Sequence, residues 1–330
     1  MSRILRVLIV FFLFVAFIYA VGPRPDHPEY SAELRELNLS IDELEDFILK
    51  KEANLPVKPG NESKIVWSDS QSKSQTEYCL LYLHGFSASG FEGNPTHLNF
   101  ARHFQANAYI PRLASHGLDV PDPLLDMTPD RLYQSAKEAL QIANLLGEKV
   151  IIMSTSTGGT LSLKLATDFP ELMEALILLS PNIRINNPAA FLLSKPWGLQ
   201  IGRKSVGGFY RYTNDDLNAE ECKYWNCFYR MEATVYLQQL VESTMQKKLF
   251  EKVEEPVFLA YYYSDKKHQD DVVRVDAMLK MYNQLGTPQS LKRKQAFDAG
   301  THVIGNGMFS KTQVEVERAC IAFAEEVLGM

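Results

Sequence analysis

A serine held between a short apolar strand and a helix can act as a nucleophile, and one stretch of this sequence offers that setting. Val150, Ile151, Ile152 and Met153 form an apolar run suited to a buried parallel strand. Ser154-Thr155-Ser156-Thr157-Gly158-Gly159 follows, and Leu161, Leu163, Lys164, Leu165 and Ala166 then read as a helix. Strand, tight turn of small residues and helix are the context of a G-x-S-x-G nucleophile elbow, here with Ser154 where that pattern has its first glycine. The first position needs a small side chain because strand and helix pack closely beside the turn, and serine meets that need. Ser156 takes the apex, its hydroxyl exposed above a helix N-terminus. A polar turn without chemistry fits the same residues, so the rest of the chain must supply partners. A serine hydroxyl is a weak nucleophile at neutral pH and requires a base; the base in turn requires a group that fixes its tautomer and steadies its charged form.

The elements around this stretch alternate. Cys79–Leu83 reads as a buried strand ending in His84-Gly85-Phe86-Ser87, followed by helix over about 95–105 and a short strand Ala108–Pro111. Thr128 as N-cap and Pro129 at the first helical position open a helix to about Leu146. After the elbow strand and its helix come a strand at Ala175–Leu179, a strand at Pro256–Tyr263, helix over about 271–285 and a last helix over about 311–328. Repeated strand–helix units imply a mostly parallel, doubly wound sheet covered on both faces. Residues 184–250 interrupt the pattern with Phe191, Trp197, Phe209, Tyr210, Tyr212, Tyr224, Trp225, Phe228 and Tyr229. So aromatic an insertion reads as a helical cap sheltering an apolar pocket, or as a segment with a core of its own.

Composition narrows the classes. A chain of 330 residues, 46% hydrophobic and 22% charged, can bury a sizeable core. A net charge of -6 without a basic patch excludes nucleic acid as a natural partner. Arg3 and Arg6 precede an unbroken apolar run from Val7 to Val21 that ends at Gly22-Pro23. That layout is a secretory signal over residues 1–21 or, with Ile4 and Leu5 extending it towards the ~17–20 residues of a spanning helix, an uncleaved anchor. Either way the positive flank stays inside and the remainder is exported. Residues 22–63 form a lead-in with a capping box, Ser40-Ile-Asp-Glu43, opening a short helix whose Leu44, Phe47 and Ile48 suit docking on the body. Of the four cysteines, Cys222 and Cys227 are close enough to pair in an oxidising compartment, although two buried thiols are the simpler reading.

Four motifs in order over residues 64–330 resemble the α/β-hydrolase superfamily, specifically its carboxylesterase and monoacylglycerol lipase-like branch with a helical cap. They are His84-Gly85-Phe86 after a strand; Pro111-Arg-Leu-Ala-Ser-His116-Gly117, similar to P-x-L-x-G-H-G with Ser115 replacing a glycine; the elbow at Ser156; and Tyr263-Ser-Asp265 after a strand with Gly300-Thr-His302 near the end. The resemblance implies core segments at 64–183 and 251–330, a cap at 184–250, and a triad in the order Ser156, Asp265, His302. His302 would take the serine proton and return it to the leaving alcohol, while Asp265 holds the imidazole. Asp270 and Asp271 compete with Asp265, since the loop Asp265–Asp271 is long; Asp271 is the second choice, with a helix N-cap as its alternative role. The backbone N–H groups of Phe86 and Thr157 would form the oxyanion hole. His84 and His116 match loop-supporting positions.

The implied activity is an exported serine hydrolase acting on carboxylic esters of acyl or lipid type through an acyl-enzyme, without metal or organic cofactor. Residues 4–21 offer membrane association. An acyltransferase using the same triad is the runner-up; a binding protein on a silent scaffold is a further alternative, against which the presence of nucleophile, base and acid together argues.

Overall fold

The computed structural model describes residues 3–214, 216–217 and 219–330; Met1, Ser2, Asp215 and Asn218, which fall within the expected leader and cap, lie outside the described residues. The chain begins with helix α1 (Arg3–Ala20), followed by α2 (Leu44–Glu52) and strands β1 (Lys64–Val66) and β2 (Thr76–Leu83). Next come α3 (Thr96–His103), β3 (Asn107–Ile110), α4 (Pro129–Leu146), β4 (Gly147–Thr155), α5 (Thr157–Asp168) and β5 (Ala175–Leu179). An insertion carries α6 (Gly198–Val206), the strands β6 (Tyr210–Tyr212) and β7 (Phe228–Arg230), α7 (Met231–Thr244) and α8 (Lys247–Phe250). The main pattern resumes with β8 (Val257–Tyr262), α9 (Val275–Gln284), β9 (Lys292–Phe297) and α10 (Gln313–Phe323).

Seven strands form one sheet in the order β1-β3-β2-β4-β5-β8-β9, with β1 antiparallel to β3 and every other pairing parallel. Alternation along the central strands feeds two apolar layers. Leu81, Leu83, Ile152, Leu176, Leu178 and Leu259 share a core with side chains of α4, α5, α7 and α9. Leu80, Tyr82, Ile151, Met153, Ile177, Leu179 and Phe258 face the other way, onto α3 and α10. Because β4 is buried on both faces, its apolar run shows no alternation in sequence.

Helix α4 forms where its signals place it. The Thr128 hydroxyl accepts from the Arg131 amide at 3.3 Å, Pro129 sits in the first turn, and Leu132, Tyr133, Ala136, Ala139, Leu140 and Ala143 are buried at helical spacing. The lead-in lies across this helix. Asp130 accepts from the Glu29 and Tyr30 amides, and the Lys137 ammonium donates to the Ser31 and Glu33 carbonyls, both at 2.6 Å. Leu44 and Ile48 of α2 are buried against the same side of the body.

The insertion between β5 and β8 is not purely helical. Its β6 and β7 pair antiparallel, and Cys222 is bonded to Cys227, with Cα atoms 5.4 Å apart. That corrects the reading of these cysteines as two thiols. A 3-10 turn over Glu220–Lys223 bends the chain back so that the pair can close. Cys79 and Cys320 remain free and buried. Helix α1 is long and apolar enough to cross a membrane, and none of its residues is buried.

Candidate active site

Ser156 follows the C-terminal end of β4 and precedes the first turn of α5, near the middle of the sheet. Ligands of open parallel sheets bind at such strand ends. Its backbone has φ 54° and ψ -117°, a region costly for a side chain and kept only where surroundings enforce it. Here the Ser156 amide donates to the Leu179 carbonyl at 3.1 Å, and its carbonyl accepts from the Gly159 and Asn182 amides at 2.9 and 2.8 Å. Gly158 is required by closeness: a Cβ there would lie 2.0 Å from the Leu83 carbonyl oxygen. Ser154, standing at the motif's first glycine, is fully buried in β4.

His302 lies in the loop between β9 and α10. Its Nδ1 is 2.7 Å from Oδ2 of Asp270, a carboxylate that is fully buried. Nε2 is also buried and has no hydrogen-bond partner among the described residues. Ser156 and His302 line the same cleft of about 1240 Å³, and no hydrogen bond joins them. Burial alone would weaken the imidazole's hold on a proton. The charge and hydrogen bond of Asp270, together with the charges of Glu92 and Asp271, outweigh it and raise the His302 pKa above the ordinary histidine value. Asp270 is likewise pulled both ways: burial favours its protonated form, but His302 and the Val273 and Val272 amides hold it ionised.

Asp265, the expected acid, is not brought to His302. It sits at the tip of the loop after β8, more than half exposed, where Oδ2 meets His268 Nδ1 at 2.8 Å and Oδ1 accepts from the Lys267 and His268 amides. Those bonds, with His268 first, lower its pKa to about 2. The reason is a doubling-back of the chain. The Ser264 and Asp265 amides donate to the His268 carbonyl, Tyr263 bridges Gln269, and the Asp270 amide returns to the Tyr262 carbonyl at the strand end. Five residues are thereby looped out, and Asp270 occupies the place that spacing along the chain gave to Asp265. Asp271, the second choice, is exposed on the cleft, one residue beyond the ring's partner. The doublet Lys266-Lys267 before His268 was the sequence sign of a solvent turn.

Phe86 lies in the turn after β2, and Thr157 opens α5, where first-turn N–H groups lack intrahelical acceptors. Both residues line the cleft. His84 is built into the wall behind them: Nδ1 contacts the Gly85 carbonyl at 2.9 Å and Nε2 accepts from the Leu113 amide at 3.1 Å. Burial, then the neighbouring His116, keeps it neutral. Ser115 adopts φ 65°, which is why a glycine suits that position in the motif. Sequence reading passed over Glu92. This residue of the Gly90–Gly93 turn is buried, lines the cleft and accepts from the Gly85 amide at 2.5 Å. Only a lone acidic residue in the stretch Ser89-Gly-Phe-Glu-Gly-Asn-Pro95 marked it.

The insertion supplies much of the opposite wall. Tyr210, Tyr212, Trp225 and Tyr229 line the cleft, whereas Phe191 and Phe209 face solvent and Tyr224 stacks on Phe91 at 3.7 Å between ring centres. Among the described residues no group of three or more His, Cys, Asp and Glu side chains is disposed to hold a metal ion.

No curated relative matches the sequence. Solved structures share the fold at low identity. A structure from work on LipS and LipT, two metagenome-derived lipolytic enzymes, aligns with a TM-score of 0.65 at 18% identity, covering 81% of this chain and 98% of that one. The monoacylglycerol lipase of Paleococcus ferrophilus aligns at 0.57 and 12% identity, over 78% and 96% of the two chains. Est1E from Butyrivibrio proteoclasticus, bound to ferulic acid, aligns at 0.55 and 16% identity, over 84% and 99%. The family model described as "Alpha/beta hydrolase family" matches residues 80–306, a stretch that contains every element of the site described above, and the chain belongs to that family.

Proposed function

We propose that this protein is an exported serine hydrolase that cleaves carboxylic esters of acyl or lipid type through an acyl-enzyme. Ser156 is the nucleophile, His302 the base and Asp270, in place of Asp265, the acid. One observation carries the reading: a buried carboxylate holds Nδ1 of His302, whose Nε2 has no partner among the described residues, and His302 lines the same cleft as Ser156, itself on a turn with positive φ. In the reaction Nε2 removes the Ser156 proton as Oγ attacks the ester carbonyl. The Asp270 bond fixes the tautomer with hydrogen on Nδ1 and steadies the imidazolium. The Phe86 and Thr157 amides receive the oxyanion; the imidazolium protonates the leaving alcohol, and water repeats the steps in reverse.

An acyl ester is favoured by the aromatic wall of the cleft, whose volume exceeds the ~300–1,000 Å³ of ordinary small-molecule pockets. The names of the structural neighbours, lipolytic enzymes and esterases, agree with that class. Export is supported by the apolar α1 behind Arg3 and Arg6 and by the Cys222–Cys227 bond, which belongs to an oxidising compartment. Membrane association would run through residues 4–21.

The test is labelling of the purified protein with a fluorophosphonate probe. Wild type should label, and Ser156→Ala and His302→Ala should not. A folded wild type that stays unlabelled would overturn the reading.

A further inference from the structure

The Ser156–His302–Asp270 machinery leaves unused a buried carboxyl that lines the same cleft as Ser156 and His302. Glu92 is 3% exposed on a Gly90–Gly93 turn, yet it lines the catalytic cleft. Its Oε2 accepts the Gly85 amide at 2.5 Å and lies 3.4 Å from the Tyr82 hydroxyl, which is itself 2.9 Å from the Thr155 hydroxyl. A Cβ built on Gly85 would fall 2.8 Å from Glu92 Oε1 and 3.0 Å from Ser156 Cβ. Carboxyl and nucleophile therefore press on the same glycine from two sides. The turn is tied to the histidine loop as well, because the Asn306 side chain donates through Nδ2 to the Phe91 and Glu92 carbonyls at 2.9 and 3.2 Å.

Resting on the serine-hydrolase reading, we propose that Glu92 is a positioning residue for this reaction. It anchors the oxyanion loop through the Gly85 amide and places a second negative charge on His302, from another side than Asp270. The groups facing it are few. Tyr82 comes from β2, Thr155 and Ser156 from the end of β4, His97 packs on Tyr82 from α3, and His302 carries Asp270 and Asp271 behind it. His302 and Glu92 line the same cleft and influence each other: the Glu92 charge raises the histidine pKa and the histidine charge lowers that of Glu92. Burial nevertheless pushes the Glu92 carboxyl up to about 7, so it changes charge within the working range of a neutral hydrolase.

Two consequences follow. The oxyanion donor at Phe86 is one residue beyond the anchored amide, so its aim depends on a carbonyl or carboxylate oxygen at position 92. The imidazolium formed as Ser156 attacks the ester gains from an ionised Glu92, and loses that gain when Glu92 takes a proton. Coupled groups of this kind titrate as a pair.

The test is the pH dependence of p-nitrophenyl butyrate hydrolysis and of fluorophosphonate labelling for wild type, Glu92→Gln and Glu92→Ala, with thermal midpoints measured alongside. Gln keeps an acceptor for Gly85 but removes the charge. Its acid limb of kcat/KM should move down by about one pH unit, since a histidine without the neighbouring anion loses its proton sooner. Its plateau kcat should fall about tenfold with KM little changed. Ala, which loses the acceptor too, should fall further. An unmoved acid limb in a folded Gln variant would overturn the proposal, because a merely structural residue lowers the thermal midpoint and leaves the profile in place. A wild type that neither labels nor hydrolyses would overturn the underlying reading instead. Should the variants not fold, the downfield Nδ1 proton of His302 in wild type decides: two inflections with pH support the proposal and a single one overturns it.

Discussion

Asp270 and Asp265 differ in what surrounds them far more than in what they are. Both bond to a histidine, at 2.7 and 2.8 Å, but Asp270 is fully buried against a cleft residue and Asp265 is 57% exposed on a loop tip. An exposed pair is screened by water and worth little, whereas a buried carboxylate dictates which nitrogen carries the proton. Asp270→Asn should therefore cost on the order of 10³–10⁴-fold in kcat. Asp265→Asn should stay within about threefold of wild type. Steady-state kinetics on the two folded variants decides the acid, and equal losses would contradict the assignment. The sequence made Ser156 and His302 legible because each sits in a local pattern, a strand–turn–helix and a glycine-flanked loop. It hid Asp270, the proposed acid, because the carboxylate that reaches His302 is set by a doubled-back loop whose hydrogen bonds are not a spacing rule. Glu92 was hidden for a related reason: a surface-type residue is recognised as functional only once its burial is known.

At the scale of elements, the alternating strands and helices were legible because each has its own signal, such as the Thr128–Pro129 cap or the unbroken apolar run of β4. The insertion was legible only as aromatic. Its ribbon of β6 and β7 and its disulfide arise from contacts made after the main sheet exists. The bonded turn has a use: the Asn226 amide donates to the Ser87 carbonyl at 2.7 Å, and Trp225 faces the cleft beside Phe309. A cross-link spanning five positions removes roughly 2 kcal/mol of chain freedom from the open form. A Cys222→Ser/Cys227→Ser variant should keep fluorophosphonate labelling, because neither residue touches the triad. It should show a KM for long-chain p-nitrophenyl esters raised several-fold, with short-chain esters less affected. Equal KM across chain lengths in wild type and variant would remove the bonded turn from the acyl-binding wall.

For the whole molecule, neutral histidines buried around the cleft set a limit on the acid side. Burial is the first cause in each case: it depresses His97 to about 3 and His116 to about 4, and it pushes His84 well below the usual value with help from the charge of His116. A histidine whose folded pKa is depressed stabilises the native state above its unfolded value of ~6.5 and withdraws that stability as pH falls towards the folded value. Glu92, raised by burial to about 7, acts with the opposite sign between roughly pH 4.5 and 7, because the folded chain holds its proton longer, and half-buried Glu255, also raised by burial, acts in the same direction. Each carboxyl offsets at most one of the three histidines, so the unfolded chain takes up at least about one proton more on acidification, and stability should fall by at least about 1.4 kcal/mol per pH unit. For a chain of 330 residues that is a drop of at least about 2 °C in Tm per unit. Scanning calorimetry between pH 6 and 4.5 measures it. His97→Gln, which cannot take the proton, should make the slope shallower by about 1.4 kcal/mol per pH unit whatever it does to the absolute Tm. A slope unchanged by that substitution would mean that His97 does not remain neutral in the folded protein.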